Sequence, residues 1–314
     1  MLAAPAMIQL RDTLLRKLRE QLHLRQSRAV LGTAPLLPAD DGVILYSMIG
    51  TKVLLPYLVA IKSLHQHLRR GRIVILDDGT LTPADKAVLA YHLGDPEIRH
   101  IAEVDLGPCP RGCVWERLLL LLELRKDAYV IQVDSDTVTL GPVPEVAAAI
   151  DQGCNFTLKG EDSARWLPVD DFVKTTPGFD PFSPETHVQG ATEEILPQIH
   201  AGLPQPSYYV RGCAGFAGFA PGGLGRKSAE DFSREAEAIL GHESWKRWGS
   251  EQVMSNVIVA NEGEPVLLPY DRYLNFWNEQ LPADTRFAHF IGTYRFHLGA
   301  YAEATRRAIA ALKG

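Results

Sequence analysis

The chain has 314 residues, 46% of them hydrophobic and 22% charged, with a formal net charge of −6. A chain of this length buries about three quarters of the surface its unfolded form exposes, so it carries a real core. The composition excludes a disordered chain and a disulfide-dense scaffold. The acidic balance argues against a nucleic-acid partner, and the lack of a long uncharged apolar run argues against a spanning helix. Phosphate-bearing substrates would therefore need local positive charge or a metal. Of the four cysteines, Cys109 and Cys113 lie close together while Cys154 and Cys213 stand alone. A zinc site is not expected, and free thiols in a reducing cytoplasm are.

The first thirty residues hold Arg11, Arg16, Lys17, Arg19, Arg25 and Arg28 against Asp12 and Glu20, a net of +4. Leu10, Leu14, Leu18 and Leu22 recur every fourth residue, so an apolar stripe runs along a basic helix. Residues 1–35 are expected to form a basic amphipathic helical segment. Residues 7–28 would pack on their own domain or on a second subunit, or attach peripherally to the inner face of a membrane. Nothing at this end resembles a signal peptide, which fits a cytoplasmic location.

Residues 40–314 are expected to form one α/β domain. Val43 to Ser47 and Arg72 to Leu76 read as strands, the second ending in Asp77 and Asp78. Val53 to Leu68 reads as a helix, and Thr82 followed by Pro83 opens another, Thr82 as N-cap. Val114 to Arg125 is helical and Tyr129 to Val133 is a third strand. Such alternation implies a mostly parallel sheet covered on both faces, with ligands beyond the carboxyl ends of its strands. From about residue 159 to 208 the periodicity fades and prolines collect, which reads as a functional insertion. Pattern returns near Val210, with helices over about 228–240, 251–260 and 301–312.

The third strand runs directly into Asp134, Ser135 and Asp136. Two carboxylates separated by one residue, where strand geometry breaks, can turn toward one hard cation such as Mn2+ or Mg2+. An isolated Asp-x-Asp also caps helices and lines turns, so its place at a strand end gives it weight.

Here the sequence resembles GT-A glycosyltransferases, and most closely the retaining enzymes of glycosyltransferase family 8, the glycogenin and lipopolysaccharide galactosyltransferase type. Trp115, Glu116, Arg117 and Leu118 match that family's aromatic-x-Arg-Leu helix before the Asp-x-Asp. His289, Gly292 and Arg295 match its late His-x-x-Gly-x-x-Lys, with arginine in place of lysine. Glu251, Gln252 and Asn256, followed by Leu268 and Pro269, match its Asp-Gln helix. The resemblance implies a GT-A fold, a mixed and mostly parallel sheet flanked by helices. It also implies a metal held by Asp134, Asp136 and His289. The donor, a nucleotide-diphosphate sugar such as a UDP-sugar, would contact Ser135, Gly292 and Arg295. Arg117 would lean on the donor phosphates or buttress the carboxylates, Gln252 would lie near the anomeric carbon, and Glu251 would bind donor sugar hydroxyls. The acceptor would be a saccharide, a lipid-linked group or a protein.

Three departures mark a divergent relative. Ser47, Met48, Ile49 and Gly50 stand where the family has its base-binding acid and tyrosine, which leaves Asp77 or Asp78 for that role. Cys213, Ala214 and Gly215 stand at the family's Asn-x-Gly segment, and Glu251 replaces an Asp. An inverting transferase using Glu251, Asp170 or Asp171 as base is an alternative, as are a nucleotidyltransferase and a nucleotide-sugar binding protein without activity. Of the aromatic residues Trp166, Phe172, Phe179, Phe182, Tyr208 and Tyr209, at least one or two are expected to line the acceptor side, the others pinning the insertion to the core. Alone, Ser250 reads as a helix N-cap.

Overall fold

The structure, a computed structural model, describes residues 4–314, with side chains from Thr13 onward apart from Thr293. In chain order the helices are α1 (Ala4–Ser27), α2 (Leu54–Leu68), α3 (Pro83–Leu93), α4 (Trp115–Leu124), α5 (Pro144–Gln152) and α6 (Val169–Phe172). They continue as α7 (Val188–Ile195), α8 (Arg226–Leu240), α9 (His242–Trp245), α10 (Ser250–Ala260) and α11 (Ala300–Ala311). The strands are β1 (Val43–Ile49), β2 (Arg72–Asp77), β3 (Glu97–His100), β4 (Tyr129–Val133), β5 (Thr137–Thr139) and β6 (Phe156–Lys159). The later ones are β7 (Leu167–Pro168), β8 (Tyr208–Tyr209), β9 (Gly212–Phe219), β10 (Val266–Leu267), β11 (Tyr273–Asn275) and β12 (Phe287–His289).

A seven-stranded sheet runs in the order β10-β6-β9-β4-β1-β2-β3, parallel except where β9 lies antiparallel to β4 and β6. Its strands alternate buried side chains to two faces, as a doubly covered sheet requires. Leu45, Ile73, Ile75, Ile131 and Val133 join one core with Tyr57, Leu58, Ile61 and Leu64 of α2. Ile44, Tyr46, Val74, Leu76 and Val130 join the other with Trp115 and Leu118 to Leu122 of α4. The parallel strands therefore end along one edge, and both Asp77 and Asp134 stand there.

The strands and helices expected between residues 43 and 312 form within two residues of their predicted ends. Thr82 caps α3 through Asp85, with Pro83 at its first position. At α10 the sequence reading needs correcting. Gly249, with φ +105°, is the N-cap, while Ser250 lies inside the helix and accepts the indole N–H of buried Trp115 at 2.9 Å.

Strand β9 is the main element without a sequence signal. Its Gly-Cys-Ala-Gly-Phe-Ala-Gly-Phe run lacks branched residues, so propensity does not mark it. Its glycines answer to close packing. A Cβ on Gly218 would come within 2.1 Å of the Phe156 ring, and one on Gly215 within 2.5 Å of the His289 ring.

The proline-rich stretch is more ordered than its sequence suggests. It contains α6, α7 and the β7–β8 pair, and Val188, Ala191, Ile195, Leu196 and Ile199 reach the core. Among the described residues no helix is long and apolar enough to cross a membrane, and all four cysteines are free.

Candidate active site

Strand β4 delivers the first carboxylate. Asp134 N–H donates to Gly215 C=O at 2.9 Å, which ties the strand end to β9. The chain then turns, with Thr137 Oγ1 donating to Asp134 C=O at 2.9 Å, and enters β5. A three-stranded sheet, β11-β12-β5, places the histidine, because the antiparallel register sets His289 opposite Thr137. Phe290 N–H donates to Asp136 C=O at 2.9 Å and locks that register.

The side chains of Asp134, Asp136 and His289 consequently converge, with one ligand atom from each lying within 4.8 Å of the others. His289 Nε2 is 3.2 Å from Asp136 Oδ1 and 3.8 Å from Asp134 Oδ2. On the far side of the ring, Nδ1 faces Asn275 Oδ1 at 2.9 Å and Cys213 Sγ at 3.2 Å. An N–H on Nδ1 donating to Asn275 leaves the Nε2 lone pair for a cation beside the carboxylates. Two carboxylates and one imidazole are a donor set that a divalent cation such as Mn2+ or Mg2+ accepts.

Two arginines bracket this cluster. The Arg295 guanidinium pairs with Asp136, and its Nε donates to Phe290 C=O at 3.0 Å. Burial alone would raise the Asp136 carboxyl, but His289 and Arg295 hold it down at about 2. Burial opposes a charge on His289, yet Cys213 and Asp136 raise its pKa well above the ordinary value. Arg117, from α4, joins Asp134 Oδ1 at 2.5 Å and Glu251 Oε1 at 2.9 Å.

Glu251, in the first turn of α10, is buried beside the cluster. It is 1% exposed, and its Oε1 meets Arg117 at 2.9 Å within the protein. Burial raises its pKa, against the opposing pull of Arg117. The cause is helix phase: anchored by Ser250 on Trp115, the first turn of α10 aims the next side chain inward. Gln252, one position on, is half-buried, accepts Ala214 N–H at 3.3 Å and donates to Gln189 of α7 at 2.9 Å. It therefore lies between β9 and the insertion.

Asp77 and Asp78 part company at the end of β2. Asp77 is buried, accepting from Gly79 and Leu81 N–H and pairing with Lys86 at 2.9 Å, so its oxygens hold the turn. Asp78 is exposed at the same edge. A Cβ on the neighbouring Gly50 would meet its carboxylate within 2.3 Å. Ser135 is half-buried, its C=O accepting from Tyr301 at 3.3 Å, and Gly292 lies exposed with open space over its Cα.

The aromatic group of the insertion divides. Phe172 and Tyr209 are core residues in edge-on contact at 4.5 Å, so these two pin the insertion to the core. Trp166 stacks on Tyr208 at 4.5 Å and donates to Ala260 C=O. Phe179 and Phe182 are exposed. Asn275 and Cys213 escaped the sequence reading as neighbours of the metal-type cluster. Nothing in their sequence marks them, since both act through a fold contact with His289.

No protein-family model matches the chain, and no curated protein matches it. Among solved structures it is similar to the apo form of the bifunctional glycosyltransferase WbbM, at 14% identity and a TM-score of 0.48, over 89% of this chain and 53% of that one. It is similar to the galactosyltransferase LgtC in complex with donor and acceptor sugar analogues, at 16% identity and a TM-score of 0.47, over 86% and 96%. It is also similar to the glycosyltransferase GlyE of Streptococcus pneumoniae TIGR4, at 9% identity and a TM-score of 0.48, over 87% and 62%. The chain thus spans about half the length of WbbM.

Proposed function

We propose that the chain is a metal-dependent glycosyltransferase of the GT-A kind. It would move a sugar from a nucleotide-diphosphate donor, a UDP-sugar, to a hydroxyl of a saccharide, lipid-linked or protein acceptor. The observation that carries this reading is the convergence of Asp134, Asp136 and His289 between two arginines, at the edge where the parallel strands end. The aromatic-x-Arg-Leu, Asp-x-Asp and His-x-x-Gly-x-x-Arg resemblances support it independently.

Asp134, Asp136 and His289 would hold Mn2+ or Mg2+, which when bound neutralises charge on the donor diphosphate. Arg295 exchanges its bond to Asp136 for diphosphate oxygens, and its planar fork suits them. The open backbone at Gly292 and the half-buried Ser135 give the diphosphate room to approach. Asp78, exposed where Asp77 is buried and bonded to Thr80 through Oδ1 alone, would meet the nucleoside through its other oxygen. Arg117 is a positioning residue, since its two bonds fix Asp134 against Glu251.

Transfer breaks the bond from the anomeric carbon to the diphosphate oxygen and forms one from that carbon to the acceptor oxygen. Buried Glu251, spent on Arg117, is no nucleophile, and Gln252 is a poor one. The retaining route that needs no such nucleophile is attack on the face the diphosphate leaves, with the acceptor proton passing to the departing oxygen. Charge stabilisation supplies most of such catalysis.

The experiment is hydrolysis of UDP-sugars with and without Mn2+, followed by proton NMR of the released sugar. Metal-stimulated release with retained anomeric configuration is the expected result. Inverted configuration would replace the retaining mechanism, and no release from any nucleotide sugar in either condition would overturn the reading.

A further inference from the structure

Helix α1 meets the domain with its polar face and turns its leucines outward. Near its C-terminal end His23 and Ser27 are buried, His23 stacking on Tyr301 at 3.8 Å and bonding Thr305 Oγ1 at 3.0 Å. At 100° per residue, Leu14, Leu18 and Leu22 point to the side of the helix away from that docked face. They are 53%, 65% and 53% exposed, and Leu15 beside them is exposed as well. Residues 14 to 22 are all exposed, so this part of the helix projects with its leucine face open. A projecting helix of that length is marginal in water by itself.

Charge decides what would cover it. Residues 1–30 carry +4, in a chain whose total of −6 leaves −10 on the remainder. Lys17 and Arg19 flank Leu18, where their long stems can lie along an apolar surface while the charges stay at its polar boundary. At the foot of the stripe Arg25 and Arg28 line an open cleft of about 400 Å3 with Gln21, Leu24 and Leu55. Two guanidinium groups beside Leu24 and Leu55 suit a phosphate that carries a hydrocarbon tail. Two such helices side by side would each bring +4 to the contact, which disfavours a second copy.

We propose that α1 docks the protein on an anionic lipid surface, its leucines entering the acyl boundary and its basic residues meeting headgroup phosphates. The site chemistry plays no part in this, so the proposal stands or falls apart from the assigned activity.

The test is flotation of the full chain with vesicles of equal parts phosphatidylglycerol and phosphatidylcholine, against vesicles of phosphatidylcholine alone. Binding to the anionic vesicles only, weakened by added salt, is expected. Leu18→Glu should lower binding roughly tenfold or more, and Lys17→Glu roughly fivefold or more. Both changes lie at exposed positions, and an unaltered melting temperature would show the fold intact. No flotation, flotation unchanged by Leu18→Glu, or equal binding to neutral vesicles would each overturn the proposal. So would a dimer in solution that Leu18→Glu dissolves while flotation is absent, which would assign the stripe to a second copy.

Discussion

His289 stands opposite Thr137 across the β5–β12 pair, and this single register sets its Nε2 3.2 Å from Asp136 Oδ1. A slip of one residue would turn the imidazole to the other face of the small sheet. The cluster is therefore built by strand pairing, and its first test is chemical. Asp136→Ala should lower Mn2+ affinity by about 100-fold or more, since even residues that only orient ligands cost 10- to 100-fold. Calorimetric titration with Mn2+ reads this directly, and unchanged affinity would remove the metal assignment.

Gly215 lies against the histidine ring, where a Cβ would come within 2.5 Å. Gly215→Ala must therefore push His289 from its place between Asn275 and Asp136. A loss of about 1–3 kcal/mol in stability is expected from such overpacking. Metal affinity should fall with it, whereas Gly292→Ala, with open space at its Cα, should leave stability unchanged in urea denaturation.

Glu251 and Arg117 form a pair with almost no contact with water. Removing the acid leaves a buried guanidinium with Asp134 alone, so Glu251→Ala should cost about 3–5 kcal/mol. Glu251→Gln keeps an acceptor for Arg117 and should cost less. A stability loss equal in both variants would show that hydrogen bonding plays no part in holding the pair.

His23 links α1 to the region of the site, because Tyr301 beneath it also donates to Ser135 C=O. Burial, aided by the nearby Arg295 charge, lowers its pKa from 6.5 to about 4. The unfolded state then binds a proton more readily than the folded one. The stabilisation is complete above pH 6.5 and is lost as pH falls from there to about 4, by about 3 kcal/mol. Denaturation across that range should show the loss, and His23→Gln should flatten it.

Phe172 and Phe182, both in the insertion, should behave oppositely. Phe172→Ala removes a core ring and should cost about 3–5 kcal/mol. Phe182→Ala, at an exposed ring, should spare the fold and donor hydrolysis while lowering transfer to acceptor. Equal loss of both activities would place Phe182 outside the acceptor surface.

The sequence by itself determined the alternating core of this protein. The strands β1, β2 and β4 and the helices between them are runs of local pattern, and period and capping are local properties. Asp134, Asp136, His289 and Arg295 stood out as candidates because their spacing resembles a known motif, and the structure brings them together. What tertiary structure decided is everything that depends on contact between distant segments. Strand β9 shows as a strand only where its glycines admit the rings of Phe156 and His289. Burial separated Asp77 from Asp78 and set Glu251 against Arg117. The leucine stripe of α1 was readable from residue spacing, but its direction was not. A helix repeats its own faces by geometry, whereas which face it buries depends on the surface it meets, here Tyr301 and Thr305 beneath His23.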